Sequence, residues 1–277
     1  MARVYGYLRD PLTRPGPGGS ETDLLASDRK IKDLLPLLAS SPGDVDLSKY
    51  CIAMDQYDLS SCVGNGTAES LEMLENIAHE GIPGYQPTPL SRLFIYALAR
   101  IEDGDHDAHG DPTRDAGTHI RSAFDVIGRF GVCTEALWPY QDALVLKSPS
   151  FLAQRQALGH KIHAAYRVDS TGDQRVNDIV AALQAKHPVV FGTSVTAAFE
   201  AIKDGTPIGQ PGPNDQILGG HCMVIVGYLN GNFLIKNSWG TEWAMNGLCF
   251  MRPDYITWDQ TTDLWVPTIG TDFKRAA

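Results

Sequence analysis

The spacing of apolar residues changes half-way along the chain. From Ser61, Ala68, Leu71, Leu74, Ile77 and Ala78 recur every three or four positions until Gly81-Ile82-Pro83 breaks the run, which predicts an amphipathic helix. Leu90, Phe94, Ala97, Leu98 and Ile101 predict a second helix over 90–101. Ile120, Ala123, Phe124 and Ile127, closed by Gly131, predict a third. Beyond residue 150, Val176, Ile179, Val180 and Leu183 suggest one more helix, followed by the strand Pro188–Phe191. Two further strands, Met223–Tyr228 and Phe233–Lys236, flank Asn230-Gly231, a strong hairpin signal. Gly247–Met251 continues the sheet.

This pattern predicts an α+β protein: a mainly helical lobe over 51–150, a sheet lobe over 151–277, and a cleft between them. Residues 1–50 are rich in proline and glycine (Pro11, Pro15, Gly16, Pro17, Gly18, Gly19), with polar Ser40, Ser41, Pro42 and Gly43 later and a helical candidate over 28–38 between. They are expected to form an irregular arm wrapping the surface. No internal repeat is visible.

Composition narrows the partners. The chain has 277 residues, 43% hydrophobic and 20% charged, with net charge −10 and no basic run. That argues against nucleic acid and anionic membranes, which attract basic patches. There is no apolar stretch of signal-peptide or membrane-span length. Five scattered cysteines are too few for a disulfide framework. The expectation is a cytoplasmic protein with reduced thiols, although a Cys51–Cys133 contact stays open.

Chemistry concentrates at three places. Cys62 opens the first strong helix, where unpaired N–H groups favour thiolate over thiol. Gly64 and Gly66 cost a helix roughly 1 kcal/mol each, which implies a close approach by something. His221 follows Gly219-Gly220 at the edge of a strand, and Asn237 ends the returning strand. A two-residue turn at Asn230-Gly231 pairs Asn237 with Val224 and puts Asn237 and His221 on opposite faces. A three-residue loop or a bulge puts them on one face, as a base and its orienting group require. Cys222, next to His221, points to the other side of its strand and is a poor alternative nucleophile. Asp103, Asp105, Asp107, Asp111, His106 and His109 lack calcium-loop spacing and read as a solvated loop, so neither metal nor cofactor is expected.

Gln56, six positions before Cys62, together with Leu-Gly-Gly-His at 218–221 and Lys-Asn-Ser-Trp-Gly at 236–240, resembles the papain-like cysteine peptidase family in order and spacing. The blocks Tyr5–Asp10, Asp115–Arg121 and Leu137–Tyr140 resemble its bacterial, prodomain-poor branch. The resemblance spans about residues 5–265. It implies a two-lobe fold with the active site between a helical lobe and an antiparallel β-barrel-like lobe, acting on peptide or protein substrates. Cys62 would be the nucleophile, His221 its base and Asn237 the orienting group shielded by Trp239. Gln56 would be an oxyanion donor, and Ala116, Gly117, Thr118, Gly220 and Trp239 would line the substrate site. It also implies that no separate inhibitory domain precedes the nucleophile.

Four departures stand out. Val63 replaces a frequent Trp, Tyr57-Asp58-Leu59 replaces a Gly-Ser-Cys stretch and its disulfide, Gly220 replaces Asp or Asn, and Ala116-Gly117-Thr118 stands where a Gly-Gly pair usually meets the substrate backbone. The same thioester chemistry also suits acyl transfer to an amine or peptide ligation, and a catalytically silent binding module is the remaining alternative.

Overall fold

Ser61 hands the chain into the helix Cys62–Ala78, the longest in the molecule's described part. The structure, a computed structural model, describes residues 3–11, 13–15, 21–23, 28–34 and 43–270, with backbone only for 13–15 and 21–23. Pro17, Gly16, Gly18, Gly19, Ser40, Ser41, Pro42 and residues 35–38 of the helical candidate lie outside these residues. The helices are α1 (Ile31–Leu34), α2 (Cys62–Ala78), α3 (Arg92–Glu102), α4 (Ile120–Phe130), α5 (Phe151–Ala157), α6 (Gly172–Gln184), α7 (Ala197–Glu200) and α8 (Pro253–Ile256). The strands are β1 (Thr13–Pro15), β2 (Glu21–Asp23), β3 (Val45–Asp46), β4 (Ile162–Arg167), β5 (Val189–Thr196), β6 (Ile217–Leu229), β7 (Asn232–Lys236), β8 (Leu248–Met251) and β9 (Thr262–Ile269).

α2, α3 and α4 pack together because each presents an apolar stripe. Leu71, Leu93, Phe94, Ile120 and Ile127 are all buried, each worth roughly 1.5–3 kcal/mol of transfer free energy. Ser91 starts α3 with its hydroxyl accepting from Phe94 N at 3.1 Å, a cap worth about 1 kcal/mol. The glycines of α2 mark close helix contacts. A Cβ on Gly64 would lie 2.6 Å from Arg92 O, and one on Gly66 would lie 3.1 Å from Cys222 Sγ. The expected close approach is therefore by α3 on one side and β6 on the other.

The main sheet runs β4-β9-β5-β6-β7-β8, antiparallel throughout, with β3 added to β6. The sheet stays open, so the lobe is a strongly packed sheet and not a closed barrel. α2 and α6 both pack against β6. β5 is almost wholly buried, which accounts for its continuous apolar start Val189-Val190-Phe191.

The β6–β7 hairpin keeps the two-residue turn, with Asn230 at φ 49° and Gly231 at φ 77°. A bulge then intervenes: Ile225 pairs with Ile235, but Gly227 pairs with Leu234, leaving Val226 extra. The ladder ends at Val224–Lys236, so one step further Asn237 comes opposite Met223. The bulge does what a longer loop would have done. All five thiols are free, with Cys51 Sγ 3.8 Å from Met73 Sδ. Among the described residues no helix is long and apolar enough to cross a membrane.

Candidate active site

Cys62 is the first residue of α2, and the backbone N–H groups of Cys222, Gly6, Val63 and Cys62 itself favour its thiolate. Burial outweighs them and pushes the thiol up to about 11. His221 lies inside β6, opposite Thr193, because the strand begins at Ile217 and not at the histidine. Its Nε2 is 2.8 Å from Asn237 Oδ1, which also accepts from Ser238 N at 2.7 Å. A backbone N–H can only donate, so that Asn237 atom is the oxygen and Nε2 carries the imidazole proton. Nδ1 makes no hydrogen bond and is left as a bare acceptor.

Aromatic rings enclose this pair. Trp239 stacks on His221 at 4.7 Å and 26°, with Tyr5 edge-on at 6.1 Å and Phe199 at 6.5 Å. Burial, reinforced by the nearby Arg3 cation, brings His221 down to about 4. In this closed arrangement both thiol and imidazole are neutral at pH 7.

Gln56 ties the lobes. Its Nε2 donates to Leu59 O at 2.9 Å, its Oε1 accepts from Ser238 Oγ at 2.7 Å, and its N donates to Ser238 O. The loop before Cys62 is fixed by two of the blocks that carry the family resemblance. Asp115 accepts from Ser60 N and Tyr96 Oη, and Tyr140 Oη donates to Gln56 O and meets Ser61 Oγ at 2.6 Å.

The remaining donor of Gln56 goes to the chain's own arm: Nε2 donates to Val4 O at 3.1 Å. Residues 4–8 continue past the predicted substrate-binding positions. Thr118 N donates to Gly6 O at 2.9 Å, Leu8 N to Thr118 O at 3.1 Å, and Tyr7 N to Gly220 O at 3.1 Å. Gly117, at φ 84°, is wedged so closely that a Cβ would lie 2.2 Å from Gly6 O. Gly6 leaves no more room, since its own Cβ would fall 1.7 Å from Ser60 O. Arg3 lies over the Trp239 ring, while Ala116 is exposed. Residues 3–10 thus fill the cleft, and Cys62, His221 and Gln56 are fully buried.

The sequence profile described as papain family cysteine protease matches residues 104–260. An uncharacterized peptidase C1-like protein of Acanthamoeba polyphaga mimivirus is 31% identical over 98% of this chain and 89% of its own length. The chain belongs to the papain family of cysteine proteases. Among solved structures, xylellain, a cysteine protease from Xylella fastidiosa, is 28% identical, covers 98% of each chain and superposes with a TM-score of 0.78. Bromelain from Ananas comosus, solved with the E64 inhibitor, shares the fold at 20% identity and a TM-score of 0.62, covering 83% of this chain and all of that one.

Sequence patterns did not point to several residues of this papain-family cleft. Arg121 and Arg167 bind Asp10 and Asp28 of the arm, and Arg167 also holds Asp263 at 2.9 Å, forming a buried charge network. In the sequence, Asp10 and Arg121 close the Tyr5–Asp10 and Asp115–Arg121 blocks, whereas Asp28, Arg167 and Asp263 belong to no motif. Lys236 is, by sequence, only the first residue of the Lys-Asn-Ser-Trp-Gly motif. Its buried Nζ donates to Asn237 O at 2.9 Å, and it lines a small cavity with Glu69.

Glu69 carries a stability prediction. Burial raises its carboxyl to about 7, only partly offset by Lys236. An acid raised in the folded state stabilises fully below its unfolded value, near 4.3, and loses that contribution as pH rises to about 7. Glu69→Gln should therefore match wild type below about pH 4.3 and exceed it above pH 7 by up to about 3 kcal/mol. Urea melts across that range would show it; parallel pH curves would refute it.

Proposed function

We propose that this papain-family protease hydrolyses peptide bonds through a thioester on Cys62. His221 Nδ1 takes the thiol proton and returns it to the leaving amine, while Asn237 holds the imidazole by its Nε2–H. Gln56 Nε2 and the Cys62 N–H receive the charge that develops on the carbonyl oxygen. Water then attacks the thioester, and the acid departs with the thiol restored.

The single observation that carries this reading is the cleft's own occupant. An extended peptide lies across it with a carbonyl on Gln56 and its backbone paired to Thr118 and Gly220. Those polar groups suit a polypeptide better than any other acyl compound. The arm meets the sulfur with the N–H of Gly6, which offers nothing to attack, so the resting chain is latent.

The test is E64, taken from the bromelain complex, on a full chain with Tyr7→Ala to loosen the arm. It should add once, at Cys62, and peptides should be cut with release of free acid. Added amine captured in place of water would redirect the reading to acyl transfer, and modification of Cys222 or Cys133 would refute the nucleophile. Gln56→Ala should lower kcat by roughly 10²–10³, the usual loss for one oxyanion donor, and Asn237→Ala should cost less because Trp239 still holds the ring. Steady-state kinetics in the same background would rank the two.

A further inference from the structure

The present occupant shows what one pocket of the cleft is built to hold. At one rung of the sheet, β9, β5 and β6 place Thr262, Gly192 and Cys222 side by side. The Tyr7 ring lies over that rung and is 7% exposed. A Cβ on Gly192 would fall 2.1 Å from Tyr7 Cζ, and one on Gly220 would fall 3.0 Å from Tyr7 Cδ1. Two glycines therefore leave a slot floored by backbone and open to a flat ring. At its end the Tyr7 hydroxyl meets Thr262 Oγ1 at 2.6 Å and donates to Asp263 Oδ2. Asp263 sits at φ 53°, a left-handed conformation that few non-glycine residues adopt. Its other oxygen, Oδ1, is held by Arg167 at 2.9 Å.

We infer that this slot is a side-chain recognition site for substrate and that it selects a phenolic side chain, a tyrosine, in the peptide that displaces the arm. The inference rests on the peptidase reading above. Any extended peptide using the Thr118 and Gly220 backbone groups sets a side chain over the same slot. Phenylalanine fills the volume but offers no donor to the buried Asp263 Oδ2, which keeps only the Thr262 hydroxyl at 3.2 Å once the arm and its Asp10 N–H have left. Sites built around a substrate hydroxyl reject the analogue lacking it. A lysine or arginine gains little, because Arg167 already neutralises the carboxylate.

The test uses the full chain with Tyr7→Ala, which empties the slot and leaves its walls intact. Peptides differing at one residue, scanned through each position, should show Tyr preferred over Phe by about 10–100-fold in kcat/KM at a single position. Adding Asp263→Asn, or Thr262→Val should the first not fold, should reduce that ratio to a few-fold. A reading independent of turnover is thermal stabilisation by small molecules: p-cresol should raise Tm more than toluene at equal concentration. Gly192→Ala, which blocks the slot, should abolish both shifts. Equal kcat/KM for Tyr and Phe at every position, or equal shifts by cresol and toluene, overturns the inference. Selective cresol binding without cleavage of any peptide or labelling of Cys62 sinks the peptidase reading instead, and upholds the slot as a phenol site.

Discussion

Cys62→Ala should reduce peptide turnover by about 10⁶-fold, the scale expected when the nucleophile of a coupled catalytic set is removed. No neighbouring group can form the acyl bond in its place: Cys222 is fully buried and its thiol is held well above the ordinary range by burial. His221→Ala should come close to the same loss, since it removes the acceptor of the thiol proton and the donor to the leaving amine. The double variant should be no worse than either single one, because the two groups act as a unit. All three are best measured in the Tyr7→Ala background, where the cleft is free. Melting temperature is the control, since Ala fits the fully buried Cys62 site. Substantial turnover in Cys62→Ala would refute the assignment, and an additive double variant would refute the coupling.

Loosening the arm should give the second largest effect, in the opposite direction. Tyr7 buries an aromatic ring, and truncating such a ring typically costs about 3–5 kcal/mol. The cost falls on the closed form alone, because in the open form the ring is in water. Tyr7→Ala should therefore raise the rate of E64 addition to Cys62 by about 10²–10³-fold, until opening ceases to limit it. Tyr7→Phe, which keeps the ring but loses the bonds to Asp263 and Thr262, should give a smaller rise. No cleavage of the chain is needed in either case. The expectation that no separate inhibitory domain precedes the nucleophile concerns a segment much larger than this; the occupant seen in the cleft is residues 3–10. An unchanged labelling rate in Tyr7→Ala would mean that the arm does not limit access.

The helices were legible because their apolar stripes are local: Leu71 and Leu74, or Ile120 and Ile127, sit at helical spacing whatever surrounds them, and α2, α3 and α4 follow within two residues of the predicted bounds. The hairpin was legible because Asn230-Gly231 prefers positive φ on its own account. Two long strands were not. Ile162–Arg167 carries no alternation, and Thr262–Ile269 contains Pro267, which reads as a breaker although its partners β4 and β5 bury the strand. The four residues proposed for the chemistry could be picked out because the family motifs put each type at a fixed distance from its neighbours in sequence. Tertiary structure alone decided the rest. The bulge at Val226 sets which face Asn237 shares, because one residue of register reverses every side chain beyond it. Only folding joins Tyr7 to Asp263 and Asp10 to Arg121 and Arg167, contacts separated by 111 to 256 residues that no local pattern encodes. Whether the cleft stands open or filled depends on those distant pairs, and burial in the filled cleft raises the Cys62 thiol and lowers the His221 imidazole.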